Sequence, residues 1–503
     1  MAVALFGIVL SVVSSFAASG VSAASLGGFA ASPAVRALYG VPYDISSAGG
    51  FTVWRSGSFV LVIAGLWAVM ATTRVLRGEE EAGRFDLVLA APVGLPRLVA
   101  GHLVVLSIAC VVAGVAVTTA FLVGGEPATG SVLYGSASSL FTLTFVGLGA
   151  VASQLFGQRR RAAGIAGLVL GATYVLRMLA DGSEGLSWAR WLTPFGWVAS
   201  VQAFAADRWL PLVPLALLPL ALLGAAVALS ARRDLGDGVV HDADVAEPRV
   251  LLLAGPVGFA WRQRLGGLAG WVGGAAMFGL VIGSITVDFS EFLASNLEMQ
   301  KMMARFGFGS MSTPAGFLGA MAGFLGVLFS LQAVSGLHLA WADEQQGRLD
   351  LALAQPVTRT RWLGAQVMAT TLAVLCAVLA SAVCAWLGVW VGGADLAFTD
   401  SLAASANTLP LVALFLGLAV LVHGVVPRAG VAASGGLVLG AYLLSFLGPL
   451  IELPSWLLDV SPFVHLAYVP ADPVDWAASA VMAGLGIGAG AVGFVAYQRR
   501  DLA

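Results

Sequence analysis

The segment Arg74–Arg97, RVLRGEEEAGRFDLVLAAPVGLPR, is a charge-dense interruption between two long apolar runs, and the chain contains it twice. The second copy is Trp341–Arg361, WADEQQGRLDLALAQPVTRTR. Gly83-Arg84-Phe85-Asp86-Leu87 aligns with Gly347-Arg348-Leu349-Asp350-Leu351, Pro92 with Pro356 and Arg97 with Arg361, all at one offset. A register held over that distance marks an internal duplication. Local physics predicts a short helix in each copy. Glu80 precedes Arg84, and Glu344 precedes Arg348, by one helical turn, the favourable order for an ion pair along a helix. Acids at the start of such a helix suit its dipole. Phe85, Val88 and Leu89, echoed by Leu349, Ala352 and Leu353, supply an apolar stripe. Pro92 and Pro356 disfavour helix at the residues before them.

The surroundings of both copies are those of a membrane protein. Hydrophobic residues make up 59% of the chain and charged ones 10%, with a mean hydropathy of +0.92, far from the soluble balance. Apolar runs long enough to cross a hydrocarbon core recur throughout. Helices satisfy their own backbone groups in lipid, whereas the alternation of a membrane barrel is absent. The 63 glycines suit close packing between such helices. Most arginines, including those of both copies, fall on one side of the predicted topology, which the positive-inside rule places in the cytoplasm. Cys110, Cys376 and Cys384 lie in apolar spans and read as packing residues without disulfide or metal spacing.

In chain order, spans are expected near 2–20, 56–73, 98–123, 131–156, 162–180 and 210–230. In the second half they fall near 270–287, 318–340, 363–391, 407–426, 430–449 and 477–497. The first span resembles a signal peptide but lacks the positive leading region. Phe6-Gly7 aligns loosely with Phe278-Gly279, which favours a retained helix. Three further echoes hold the repeat together: Leu168–Ala172 with Leu437–Ala441, Thr193-Pro194-Phe195 with Ser461-Pro462-Phe463, and Arg232-Arg233-Asp234-Leu235 with Arg499-Arg500-Asp501-Leu502. The predicted fold is therefore all-α and polytopic, about 12 transmembrane helices as two parallel six-helix repeats. The repeats occupy 1–235 and 256–503, with a polar cytoplasmic linker at 236–255. Pro256–Gly270, carrying Trp261, Arg262 and Arg264, reads as an amphipathic helix in the inner interface. The first half shows no counterpart: either that element is lost or the start lies upstream of Met1. Residues 286–316 read as an outer amphipathic helix, a packed cap or a gate.

Several chemistries are missing. Lys301 is the one lysine, so the chain has no phosphate loop of the G-x-x-x-x-G-K-[ST] kind and is not itself such an ATPase. His102, His241, His338, His423 and His465 are scattered without metal spacing. Asp242 and Asp244 read as a solvated acidic patch. Arg55, Arg177 and Asp288 sit near span ends, and no mid-span acid or base suggests an ion site. Energy is expected to enter through the two repeated helices. The rival reading is an ion-driven 12-helix secondary transporter, which needs such a site. A membrane enzyme or scaffold is a third reading, and no convergent acid, histidine or metal cluster supports it.

The motifs E-E-x-x-G-R-F-D-L-x-L-x-x-P and D-E-x-x-G-R-L-D-L-x-L-x-x-P resemble the coupling-helix signature of type-2 ABC exporter permeases. With the duplication, Arg36–Gly40 and Trp54–Gly57, the chain resembles the large duplicated permeases of actinobacterial antibiotic and polyketide exporters, including the tetronasin-resistance type. The resemblance implies that Glu80, Gly83, Arg84, Asp86 and Pro92, with Glu344, Gly347, Arg348, Asp350 and Pro356, form or position contacts to an ATPase. It implies a transport subunit rather than an enzyme, in the plasma (inner) membrane, exporting small lipophilic compounds. It further implies two copies of a separate cytoplasmic ATP-binding subunit, which would hold ATP and magnesium, this chain holding no cofactor. Lipid is the other expected partner, and nucleic acid is not expected. Gln345 stands where the first copy has an acid, so the two contacts are expected to be unequal.

Overall fold

The computed structural model describes residues 1–19, 30, 33–182, 184–240, 252–253, 255–295, 297, 300–301, 309–345, 347–349, 354, 356–426, 430–447 and 453–500. Every regular element among the described residues is helical. Among the described residues, ten helices are long and apolar enough to cross a membrane. Two further apolar helices, Ala2–Ser19 and Gly430–Leu447, stand where the first and eleventh expected spans fall. The protein is an all-α, multi-pass membrane protein. It divides into two compact units, Met1–Ala246 and Glu247–Ala503.

The first unit comprises α1 (Ala2–Ser19), α2 (Pro33–Tyr39), α3 (Ala48–Thr73), α4 (Arg84–Leu89), α5 (Leu95–Val123), α6 (Ala128–Leu155), α7 (Arg159–Gly182), α8 (Pro194–Ser200) and α9 (Leu212–Ser230). Ser47 caps α3 by accepting from the Gly50 amide at 3.1 Å, satisfying one of the free donors at a helix start. α6 is the central helix, packed by α3, α5, α7 and α9. It tolerates Thr142 and Ser153 in the core because each hydroxyl bonds the carbonyl one turn back, at 2.7 Å. α1 buries Leu5, Val9 and Val13 in the same core, so residues 2–19 form a helix packed into this unit. At the far end, Asp181 pairs with Arg177 at 3.4 Å and Arg190 at 2.6 Å. Arg177 also bonds the carbonyls of Ala37 and Leu38 at 3.0 Å, tying α2 to α7.

The second unit comprises α10 (Pro256–Ser284), α11 (Thr286–Ser295), α12 (Pro314–Gln345), α13 (Arg359–Val391), α14 (Phe398–Ala406), α15 (Leu409–Val425), α16 (Gly430–Leu447), α17 (Ser455–Leu458) and α18 (Trp476–Arg499). Backbone contact between glycine faces holds two of its helix pairs. A methyl group on Gly279 or Gly283 of α10 would run into the α13 carbonyls of Ser381 and Ala385, and one on Gly417 of α15 into the α18 carbonyl of Gly486. Thr193 and Ser461, equivalent in the repeat, each cap a short turn beginning Pro-Phe, at 3.0 and 3.3 Å.

One expectation is corrected here. Pro256–Gly270 is not a separate interfacial helix but the first half of the unbroken α10. Arg264 is buried rather than snorkelling, because Ala260 O, Gly336 O, Gln366 O, Gln366 Oε1 and Thr370 Oγ1 accept from it at 2.8–3.0 Å. In the outer segment, α11 packs as a cap, as one of the two readings had it: Leu293 is buried with Met311 and Ala320, and Phe289 meets Phe317 at 4.6 Å. Glu298 and Arg305 lie outside the described residues.

Candidate functional site

The repeated motif is built on the end of a long helix. α3 continues past Thr73 through a π turn at Arg74–Gly78 and ends at Glu81. Gly83 then adopts φ +70°, the left-handed region open to glycine, and α4 starts at Arg84. α12 likewise ends at Gln345, and Gly347 turns with φ +66°. The acids therefore sit at helix C-termini, not at the start of a new helix. That is the unfavourable end for negative charge, so each acid needs cations from elsewhere.

The anticipated one-turn pairs do not form. Arg84 donates to Glu79 (Nη2 to Oε1, 2.7 Å) rather than to Glu80, and Arg348 pairs with Asp343 at 2.7 Å rather than with Glu344. The positive-φ glycine swings each arginine back over the previous helix end. Both arginines are more than half exposed. The Glu79 carboxylate holds Arg84 further above the usual guanidinium range.

Glu80 is instead a buried hub. Its carboxylate meets Arg77 at 2.8 Å and Arg233 at 2.6 and 2.8 Å, and accepts from the Gly236 amide at 2.8 Å. All three charged side chains are at most 3% exposed. Arg77 also bonds the Gly157 and Gly236 carbonyls, at 2.9 and 3.0 Å, and Arg233 bonds Gln154 Oε1 at 2.7 Å. Val239 and Val240 bond the carbonyls of Gln154 and Leu155. The stretch after α9 is thereby clasped to the ends of α3 and α6, so residues 236–240 pack on the first unit.

Glu344 repeats the arrangement with other partners. Its Oε1 bonds Arg500, and its Oε2 lies 3.8 Å from His423 Nε2. Arg500 also donates to the His423 carbonyl at 2.9 Å, stacks over Tyr497, and accepts from Arg359 through its own carbonyl at 2.8 Å. Asp343 accepts from Gln263 at 2.9 Å. Arg233 and Arg500 are the matching arginines of the two R-R-D-L echoes. Each half thus locks the acid at the end of its second long helix to the arginine after its last helix. The echo was visible in the sequence; its partnership with Glu80 and Glu344 was not, since Arg233 lies 153 residues from Glu80.

Beyond each lock the chain turns outward. Phe85 is buried and stacks on His102 at 5.6 Å, and Leu349 is buried at the matching place. Leu87 is 78% exposed, and Val88, Val93, Asp86 and Pro92 are exposed with it. In the second copy Arg348, Ala354 and Pro356 are exposed, while Asp350 lies outside the described residues. Among the described residues no group of acids, histidines or cysteines is arranged to hold a metal ion.

Comparison with known proteins agrees with this architecture. The family described as "Multidrug efflux system permease Rv1217c, C-terminal domain" matches residues 2–229 and 253–498. The "Multidrug efflux system permease protein Rv1217c" of Mycobacterium tuberculosis (strain ATCC 25618 / H37Rv) is 32% identical over 489 residues, 95% of this chain and 87% of the relative. On both the family match and the near full-length similarity, this chain belongs to the Rv1217c family of efflux system permeases.

Proposed function

We propose that the protein is the membrane permease of an ATP-driven ABC exporter of the duplicated antibiotic-exporter type, moving lipophilic drug-like compounds out of the cell. Family membership supports the efflux role. The observation that carries the ATP coupling is the twice-built lock, followed in the first copy by an exposed apolar and charged turn and in the second by the exposed Arg348. A push on α4 passes through Gly83 into the C-terminal end of α3, which Glu80 joins to α6 and to the end of α9. The second copy does the same from Gly347 through Glu344. In this reading Glu80 and Glu344 position the coupling elements, whereas Arg84, Asp86, Leu87 and Pro92, with Arg348, Asp350 and Pro356, face two copies of a cytoplasmic ATP-binding subunit. That subunit would bring ATP and magnesium; this chain transports and does not hydrolyse.

The test is gentle-detergent purification of the full chain from its host membranes. A near-stoichiometric ATPase bearing a phosphate loop is the expected companion, lost with Leu87→Glu or Arg348→Glu while the permease stays folded. Co-purification of no ATPase with a folded permease would overturn the coupling and turn attention to ion-gradient-driven export.

A further inference from the structure

The first unit is hollow at the end opposite the Glu80 lock. α7 starts beside that lock, where the Arg159 amide bonds Glu81, and carries Asp181 to the far end, roughly 33 Å along its axis. A cleft of about 550 Å³ there is lined by Trp188, Arg190, Trp191, Arg208, Leu210 and Pro211, a volume typical of small-molecule sites. Both charged groups of the lining are cations. An inner chamber of about 60 Å³ adjoins it, with Tyr43 and Gln202 lining both. Tyr39, Trp54, Tyr134 and Phe195 give the chamber aromatic walls. Its charged side chains are already engaged: Arg177 with Asp181 and with Ser58 at 3.0 Å, Asp44 with Ser46 and Ser47 at 2.6–2.9 Å. Tyr134 Oη is not. It is buried and bonds no other group among the described residues, the rare condition that marks an unassigned partner. A methyl group on Gly57 would come within 2.8 Å of it, so the glycine keeps the hydroxyl clear. Gln202, at the junction, holds φ +49°, with Phe204 at +64° and Asp207 at +45°. Left-handed backbone is strained outside glycine, and such strain gathers at ligand sites.

The duplication shows that the repeat does not demand these groups. In the register of the Leu168 and Leu437 echo, Arg177 stands against Phe446. In that of the Thr193 and Ser461 echo, Arg190 stands against Leu458 and Trp191 against Asp459. The second half writes this corner without the cations. We propose that the cleft and chamber of the first unit together bind an organic anion with a flat aromatic body. The acid group accepts from Arg190 and Arg208, as charge-assisted hydrogen bonds favour. The ring lies against Trp188 and Trp191, and a neutral oxygen at its far end meets Tyr134 Oη. Asp44 lines the chamber and repels an acid there, which fixes the direction in which the ligand lies. The chamber has room for a few waters, hence for the tip of such a molecule and not its whole ring system. The inference rests on contacts inside the first unit and requires neither the ATP-driven reading nor transport.

The test uses the full chain in phosphatidylcholine nanodiscs, with 6-hydroxy-2-naphthoate as the probe and empty nanodiscs as the blank, read by isothermal titration calorimetry. The acid should bind saturably at one site, and its neutral methyl ester about tenfold more weakly. Arg208→Gln, at an exposed position that leaves folding intact, should bring the acid down to the level of the ester and leave the ester unchanged. Tyr134→Phe should weaken the hydroxylated probe about three- to tenfold and leave 2-naphthoate, which lacks the hydroxyl, unchanged. A merely structural role of either residue would move both members of its pair together. Binding no stronger than to empty nanodiscs, equal affinity for acid and ester, or undiminished binding by Arg208→Gln overturns the proposal. Displacement of the probe from wild type by an equal concentration of dioctanoyl phosphatidylglycerol makes the cleft a seat for lipid headgroups and overturns it too.

Discussion

Glu80→Ala tests whether the first lock is one coupled unit. The substitution leaves Arg77 and Arg233 buried without their counter-ion and also removes the acceptor of the Gly236 amide. Breaking a buried ion pair from one side costs about 3–5 kcal/mol. The upper part of that range applies here because both guanidiniums are at most 2% exposed and neither can swing into water. For a unit of this size that corresponds to a melting-temperature loss of roughly 8–20 °C. Cys110, fully buried in the core of the same unit, reports the transition when the remaining thiols are removed by Cys376→Ser and Cys384→Ser. A thiol-reactive dye then fluoresces only when the first unit opens. Arg233→Gln should cost nearly as much alone, and the double variant much less than the sum, as expected of groups that share one network. Additive losses, or a Glu80→Ala protein as stable as wild type, would refute the hub. Glu344→Ala should cost less, about 1–3 kcal/mol, because Arg500 is 16% exposed and can reach water.

Other expectations follow from single positions. Gly83→Val should destabilise by about 1–2 kcal/mol through its left-handed φ alone. Gly83→Asn should cost less, since an added Cβ would meet only the Asp86 carboxylate, at an ordinary contact distance of 3.6 Å, and asparagine tolerates that conformation; calorimetry separates the two. Arg84→Ala, at an exposed pair, should leave the melting temperature unchanged while weakening capture of the ATPase in the purification described above. Gly417→Val should unfold the second unit at markedly lower temperature, because the α18 backbone cannot retreat from the added methyl groups. Burial raises the carboxyl of Glu126, in the turn between α5 and α6, above its ordinary range, and Asp44 adds to this against the Gly49 amide. The folded state therefore favours the protonated form, and stability falls as pH rises from the usual carboxylate value through the raised one. Glu126→Gln should raise the melting temperature at neutral pH and flatten that slope.

Much of the architecture is written in local patterns, and the site is only half so. Apolar run length gives the spans, because crossing a bilayer is a one-dimensional requirement. α1 and α16 fall where the first and eleventh spans were expected. G-R-[FL]-D-L located both repeated segments, but each was read as one short helix, and the left-handed glycines that break them were not foreseen. The pairing was misassigned because helical spacing assumes one continuous helix, whereas Gly83 and Gly347 break it and hand each arginine to the acid five residues back. Arg264 was placed in the interface because its acceptors, Gln366 and Thr370, lie on another helix about a hundred residues on. Likewise no local rule joins Glu80 to Arg233. Long-range electrostatic partners become visible only once the fold brings them together.

The lock also sets a timetable for biogenesis. Glu80 waits for an arginine 153 residues downstream, and Glu344 for one 156 residues downstream. At ordinary synthesis rates that interval is roughly 8–30 s, during which the last four long helices of the half must enter the membrane. The clasp closes only after the final span of a half has been delivered, so a half whose last helix fails to insert keeps an unpaired acid at the end of its second long helix. Each R-R-D-L segment thus works as a seal on a completed half, giving membrane quality control a simple mark of unfinished product.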